Sequence, residues 1–222
     1  MIVVQNNLID RIMPAAIQTI NESLRFALGF TQDDYLRIRI ASTVDEMRAR
    51  FLEFVLENPD LKVEQDPSGE IVIMSPAGAQ GSSKNSEIAF QLTGWARQHG
   101  GWSFDSSAMF VLANGAKRSP DAAWIQPDRW EAVPASEREQ FPTIAPDFVI
   151  ELRSRTDRLA PLKLKMQEYV DNGVRLGWLV DPQAKQVQVY RPGIHEIILE
   201  NPRAVSGEEV LPGFVLDTSR LF

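Results

Sequence analysis

The chain contains no cysteine and only two histidines, His99 and His195. The first absence excludes disulfides, thiolate zinc sites and cysteine nucleophiles. The second excludes a histidine-rich metal centre. No Gly-x-Ser-x-Gly elbow accompanies either histidine, so nothing supports a serine hydrolase. No run approaches the ~20 apolar residues that a membrane-spanning helix needs. Residues 1–14 carry Asp10 and Arg11 inside a short apolar run. They lack the basic start and continuous apolar centre of a secretion signal. A cytoplasmic protein without membrane contact is expected. No internal repeat or low-complexity segment is present.

There is little positive charge overall. The net charge of −7 over 222 residues argues against a protein that coats nucleic acid non-specifically. The local balance differs. Between residues 151 and 165, Arg153, Arg155, Arg158, Lys163 and Lys165 face only Glu151 and Asp157. This local excess reads as a solvated charged loop or as a phosphate contact.

Hydrophobic periodicity divides the chain at about residue 41. Residues 1–41 form an extension that is helical in part, with a weak pattern over 15–28 and a helix-start signal at Thr31-Gln32-Asp33-Asp34. Residues 42–222 are expected to form a single domain. It opens with a helix over 43–57 that Thr43 can cap. A hairpin over 61–74 turns at Asp66-Pro67-Ser68-Gly69. A loop follows to residue 83, then a helix over 84–98 with Ile88, Leu92 and Trp95 on one face. Strands are expected within 102–112, over 122–125 and over 148–152. A short helix near 136–140 interrupts the prolines between the last two. A helix over 161–172 begins at Pro161 and ends at Asn172-Gly173. Strands over 177–180, 186–190, 194–199 and 210–216 close the chain. This order predicts an α/β or α+β fold around one central mixed sheet.

Two carboxylates stand out because each interrupts an apolar strand. Asp121 starts the run after Ser119-Pro120. Glu151 follows Phe148-Val149-Ile150 and precedes Leu152. A buried charge is costly unless it is paired or binds a cation. Alternation puts Glu151 on the face of Val149 and Arg153, opposite Phe148, Ile150 and Leu152. Plain structural roles exist for both acids. Asp121 can be satisfied by a backbone amide or by Lys117 and Arg118, and Glu151 by a neighbouring arginine. The sharper reading brings the two together as a hard-cation site of the kind that hydrolyses phosphodiesters. On the following helix, Lys163 and Lys165 flank the inward face formed by Leu162, Met166, Tyr169 and Val170. Helical geometry alone does not choose between these lysines.

Several segments together carry a resemblance. They are Ser119-Pro120-Asp121, Pro146 through Ser154, Lys165-Met166-Gln167-Glu168-Tyr169, Asn172-Gly173-Val174, Gly177 through Pro182, and Leu211 through Leu216. From about residue 61 onward the chain resembles the Uma2 endonuclease family of the PD-(D/E)XK nuclease superfamily. The resemblance implies a restriction-endonuclease-like α/β fold, a central mixed sheet flanked by helices. It implies a metal-dependent endonuclease that hydrolyses DNA with Mg2+ or Mn2+ and associates as a homo-oligomer, a dimer being favoured. Asp121 and Glu151 match the two metal-binding acids. Arg153 occupies the usual lysine position, where it would contact the scissile phosphate. Lys165 matches a lysine displaced to the next helix. Glu87 corresponds to the superfamily's early-helix acid and would help Asp121 and Glu151 bind the metal, although helical projection sets it about 125° from the apolar face. The competing expectation is a catalytically inactive protein on the same fold that binds a nucleic acid or a protein.

Overall fold

The computed structural model describes residues 36–74 and 76–222. The helical signals expected at 15–28 and 31–34 lie outside them. In chain order the elements are β1 (Leu36–Ile38), α1 (Val44–Ala49), α2 (Phe51–Glu57), β2 (Val63–Gln65), β3 (Ile71–Ile73), α3 (Ala79–His99), β4 (Trp102–Asp105), β5 (Phe110–Val111), β6 (Lys117–Arg118), β7 (Ala122–Ile125), α4 (Pro127–Glu131), α5 (Ala135–Arg138), β8 (Phe148–Leu152), α6 (Leu159–Asp171), β9 (Leu176–Asp181), β10 (Gln186–Arg191), β11 (Ile194–Glu200), β12 (Ala204–Ser206) and β13 (Val215–Asp217). The described residues form two compact units, one of those up to residue 76 together with 114–118, the other of residues 77–113 and 119–222.

In the first unit, β2 pairs antiparallel with both β3 and β6, and β1 pairs with β3. The expected hairpin is therefore present. Thr43 caps α1 through a capping box. Its hydroxyl accepts the Glu46 amide hydrogen at 3.3 Å, and the Glu46 carboxylate accepts the Thr43 amide hydrogen at 3.2 Å. The single helix expected over 43–57 breaks at Arg50, whose φ of −84° and ψ of −4° end α1 and start α2.

Gln65 is fully buried in this unit. Its amide donates to the carbonyls of Met47 and Gly69 at 3.0 and 2.9 Å and accepts from the Lys117 ammonium. Lys117 also lies 4.7 Å from the Phe51 ring centroid. Burial, reinforced by repulsion from Arg48, pushes the Lys117 pKa down from 10.5 to about 8.

The second unit holds a six-stranded sheet in the order β11-β10-β9-β8-β7-β4. The pair β8–β9 is parallel; the pairs β4–β7, β7–β8, β9–β10 and β10–β11 are antiparallel. This is the mixed sheet flanked by helices that the sequence implies. Alternation decides its faces. Phe148, Ile150 and Leu152 of β8, with Trp178 and Val180 of β9, join Ile88, Leu92 and Trp95 of α3 in the main apolar core. Phe214 closes that core by stacking on Trp178, with ring centroids 5.9 Å apart. The other face of β8 and β9 is turned away from this core, and α6 crosses over between these two parallel strands with Leu162, Met166, Tyr169 and Val170 buried.

Between pH 8 and 10 the folded chain gives up the Lys117 proton while the unfolded chain, near 10.5, keeps it. The unfolded state then binds more protons, so this group makes stability rise with pH across that window. Urea midpoints of the parent and Lys117→Met should diverge between pH 8 and 10, with the parent gaining relative to the variant. Parallel pH profiles would show that the ammonium is not held in this environment.

Candidate active site

The site is built on β8 and its neighbours in the second unit. The β7–β8 register pairs Ala122 with Ile150, Ala123 with Val149 and Trp124 with Phe148. One further step of that register sets Asp121 across from Glu151. Directly opposed residues share a face, with Cβ atoms about 4.5–5.5 Å apart. The strands carrying the two acids are thus neighbours.

Glu151 is only 4% exposed. Its Oε1 accepts from the Tyr169 hydroxyl at 2.9 Å and pairs with the Lys165 ammonium at 2.8 Å. Lys165 and Tyr169 stand four residues apart on α6, the spacing that puts two side chains on one helix face. The structure therefore separates the two lysines that helical geometry leaves open. Lys165 meets Glu151, whereas Lys163 turns outward and pairs with Glu196 at 3.3 Å.

Asp121 is held at both oxygens. Its Oδ2 accepts the Leu152 amide hydrogen at 2.8 Å, and its Oδ1 accepts from the Asn85 side-chain amide at 3.1 Å. The backbone bond ties the carboxylate to the end of β8, beside Glu151. Asn85 belongs to the first half of α3, whose Ile88, Leu92, Trp95 and Ala96 are buried.

Two expected members stand elsewhere. Arg153 follows β8 and pairs with Asp181 at 2.8 Å, while its Nε donates to the Asp157 carbonyl at 3.1 Å. Its position beyond the strand end brings it to the end of β9 because those strands run in parallel register, Leu152 opposite Val180. Glu87 accepts from Gln91 at 2.9 Å and pairs with Arg220 at 3.3 Å. Its helical phase, two residues from Asn85, turns it about 200° from the Asp121 side. Among the described residues no group of three or more His, Cys, Asp or Glu side chains is gathered to hold an ion. The acids brought together are Asp121 and Glu151.

Asn85 and Tyr169 complete the cluster without having been assigned a role from sequence. The signal for Asn85 is its phase: a polar residue three and seven positions before Ile88 and Leu92, in line with the apolar stripe. For Tyr169 it is the four-residue spacing from Lys165.

A family model described as "Putative restriction endonuclease", Uma2, matches residues 48–219. The chain belongs to the Uma2 family. A crystal structure of a putative nuclease belonging to DUF820, from Anabaena variabilis, superposes on it with a TM-score of 0.66 at 22% identity. The match covers 82% of this chain and 98% of that one, and shows a shared fold. No curated protein matches. The Uma2 match spans Asn85, Asp121, Glu151, Lys165 and Tyr169 alike. Among the described residues no helix of this Uma2 chain is long and apolar enough to cross a membrane.

Breaking the Lys165–Glu151 pair from one side strands a buried charge. Lys165→Met should cost about 3 kcal/mol of unfolding free energy, and adding Glu151→Gln should recover most of it. Urea unfolding of the four members of this double-mutant cycle measures the coupling. Additive effects would mean that the ion pair carries no structural weight.

Proposed function

We propose that this chain is a divalent-metal-dependent deoxyribonuclease whose centre is Asp121, Glu151 and Lys165. One observation carries the reading: a buried acid and an ammonium meet under α6, and a second acid, Asp121, accepts the amide hydrogen of the residue next to the first, Leu152. Two carboxylates suit magnesium or manganese. Magnesium keeps several waters and takes one or two protein carboxylates together with substrate phosphate oxygens. A buried amide oxygen at the same place, Asn85 Oδ1, has no hydrogen-bond partner among the described residues. The donor set therefore fits a hard cation.

Asp121 and Glu151 would hold the ion. When bound, it supplies Lewis acidity to a phosphoryl oxygen and to the attacking water. The protein's own groups do the rest. The Leu152 amide hydrogen and the Asn85 amide fix the Asp121 carboxylate. The Tyr169 hydroxyl fixes Glu151. Lys165, within reach of Glu151, orients the water or stabilises charge developing on phosphorus. Arg153 is given no chemical role, since its guanidinium ties the end of β8 to Asp181.

A second reading, a nuclease-fold protein that binds nucleic acid or protein without cutting, draws support from that same withdrawal of Arg153. The two separate on supercoiled plasmid and circular single-stranded DNA incubated with Mg2+, Mn2+ or EDTA. The nuclease reading expects metal-dependent cleavage that falls at least about 100-fold in Asp121→Asn, Glu151→Gln and Lys165→Met. DNA binding without cleavage under any metal would favour the second reading. Cleavage that survives these substitutions would place the chemistry elsewhere.

A further inference from the structure

Asn85 is bound on one side and unsatisfied on the other. Its Nδ2 donates to Asp121 Oδ1 at 3.1 Å, while its Oδ1 is buried without a hydrogen-bond partner among the described residues. A buried polar atom left in this state is unfavourable and rare in folded proteins. The amide group is planar and small, so this oxygen stands within one amide width of the contact with Asp121. A donor or a cation is needed there. The adjacent Lys84 does not supply one, because its ammonium donates to the Leu221 carbonyl at 2.6 Å. Arg220 is turned to Glu87. An acceptor oxygen beside a carboxylate is unfavourable for a further anion and favourable for a hard cation. Amide carbonyls of asparagine are regular ligands of such ions.

We propose that Asn85 is a third, uncharged protein ligand of the divalent cation, binding through Oδ1 while its NH2 group holds Asp121 in the ligating orientation. This rests on the metal-dependent reading above. It assigns the role to an amide in the apolar phase of α3, and leaves the acid two residues later, Glu87, on the helix flank. One side chain thereby performs two tasks: it neutralises none of the ion's charge, yet it sets the direction of a carboxylate that does.

The test uses the full-length protein without nucleic acid, with Mn2+ as the probe. Titration followed by electron paramagnetic resonance gives the affinity of the parent, Asn85→Ala and Asp121→Ala. Asn85→Ala should weaken binding by at least about tenfold, the lower bound for a residue that orients another ligand. Asp121→Ala should weaken it further. A second measurement needs no variant to fold: with asparagine labelled by 13C at the side-chain carbonyl, electron–nuclear double resonance on the parent should show a 13C coupling to bound Mn2+. Parent-like affinity in Asn85→Ala, or bound Mn2+ with no 13C coupling, overturns the assignment of Asn85 and leaves the two-acid site standing. A parent that binds no Mn2+, or binds it equally well as Asp121→Ala, overturns the metal-dependent reading itself.

Discussion

Burial of the Glu151 carboxylate on a fully enclosed strand is the constraint around which the second unit is arranged. All five residues of β8 are buried. The strand has a neighbour on each side, so its side chains can only alternate between two covered faces. Three apolar residues take the α3 face, and the acid is forced under α6. A charge in that position must be met on the spot. Lys165 and Tyr169 meet it together, and in doing so fix the rotation of α6. A turn of one residue, about 100°, would carry both donors away from the acid. Gly177 leaves room for the end of the Met166 side chain. A Cβ there would stand 2.6 Å from Met166 Cε and 3.5 Å from Val149 Cγ2. The acid thus sets the helix phase, and the gap at Gly177 takes up the methionine that comes with it.

The remaining buried acids of this sheet show how differently the same group can be used. Asp147, just before β8, accepts the Gln126 amide hydrogen at 2.9 Å and the Arg175 guanidinium at 3.3 Å. Asp181, at the end of β9, accepts the amide hydrogens of Gln183 and Ala184 at 3.0 and 3.1 Å and so shapes the turn into β10. Its other oxygen takes Arg153. The Arg153–Asp181 pair extends the β8–β9 ladder one step past its last backbone bridge. An arginine at this position is thus a strap between strands. Its planar fork and permanent charge suit such a strap better than proton chemistry. A lysine from the next helix can then serve the acid that the arginine leaves.

Legibility in the sequence followed the range of the interactions. Strands β7, β8, β9 and β10 are apolar enough to be read from their own residues, and the alternation in β8 already assigns Glu151 its face. Helix α3 begins at Ala79, five residues before the expected start: Gly81, Ser82 and Ser83 favour loops locally, but this largely exposed first turn propagates from the helix that Ile88, Leu92 and Trp95 anchor. Helix α4 lies in a proline-rich stretch whose sequence reads as irregular, although Pro127 sits in its first turn. Strand β6 has two residues, and its partner Gln65 lies 52 positions earlier than Lys117. No periodicity reveals such a pairing, nor the assignment of 114–118 to the first unit. The Arg153–Asp181 pair is hidden for the same reason, since the two residues lie 28 positions apart. Asn85 was readable from helical phase.

Charge bears on why a centre of this composition would need an ion. The sequence cluster at 151–165 carries a local positive excess, but three of its cations are spent inside the protein. Arg153 goes to Asp181, Lys163 to Glu196 and Lys165 to Glu151. The excess therefore overstates what a phosphate would meet. At the centre, Asp121, Glu151 and Lys165 sum to one negative charge, on a chain that is itself acidic. A phosphodiester approaching that arrangement meets repulsion. The proposed divalent cation would reverse the sign to one positive charge and be the largest local charge in the site. As the proposed third ligand, Asn85 would add an oxygen to that arithmetic without adding charge. An acid in its place would return the loaded centre to neutrality. With two acids, one amide and one ammonium, the proposed ion would supply the attraction for the substrate as well as the chemistry.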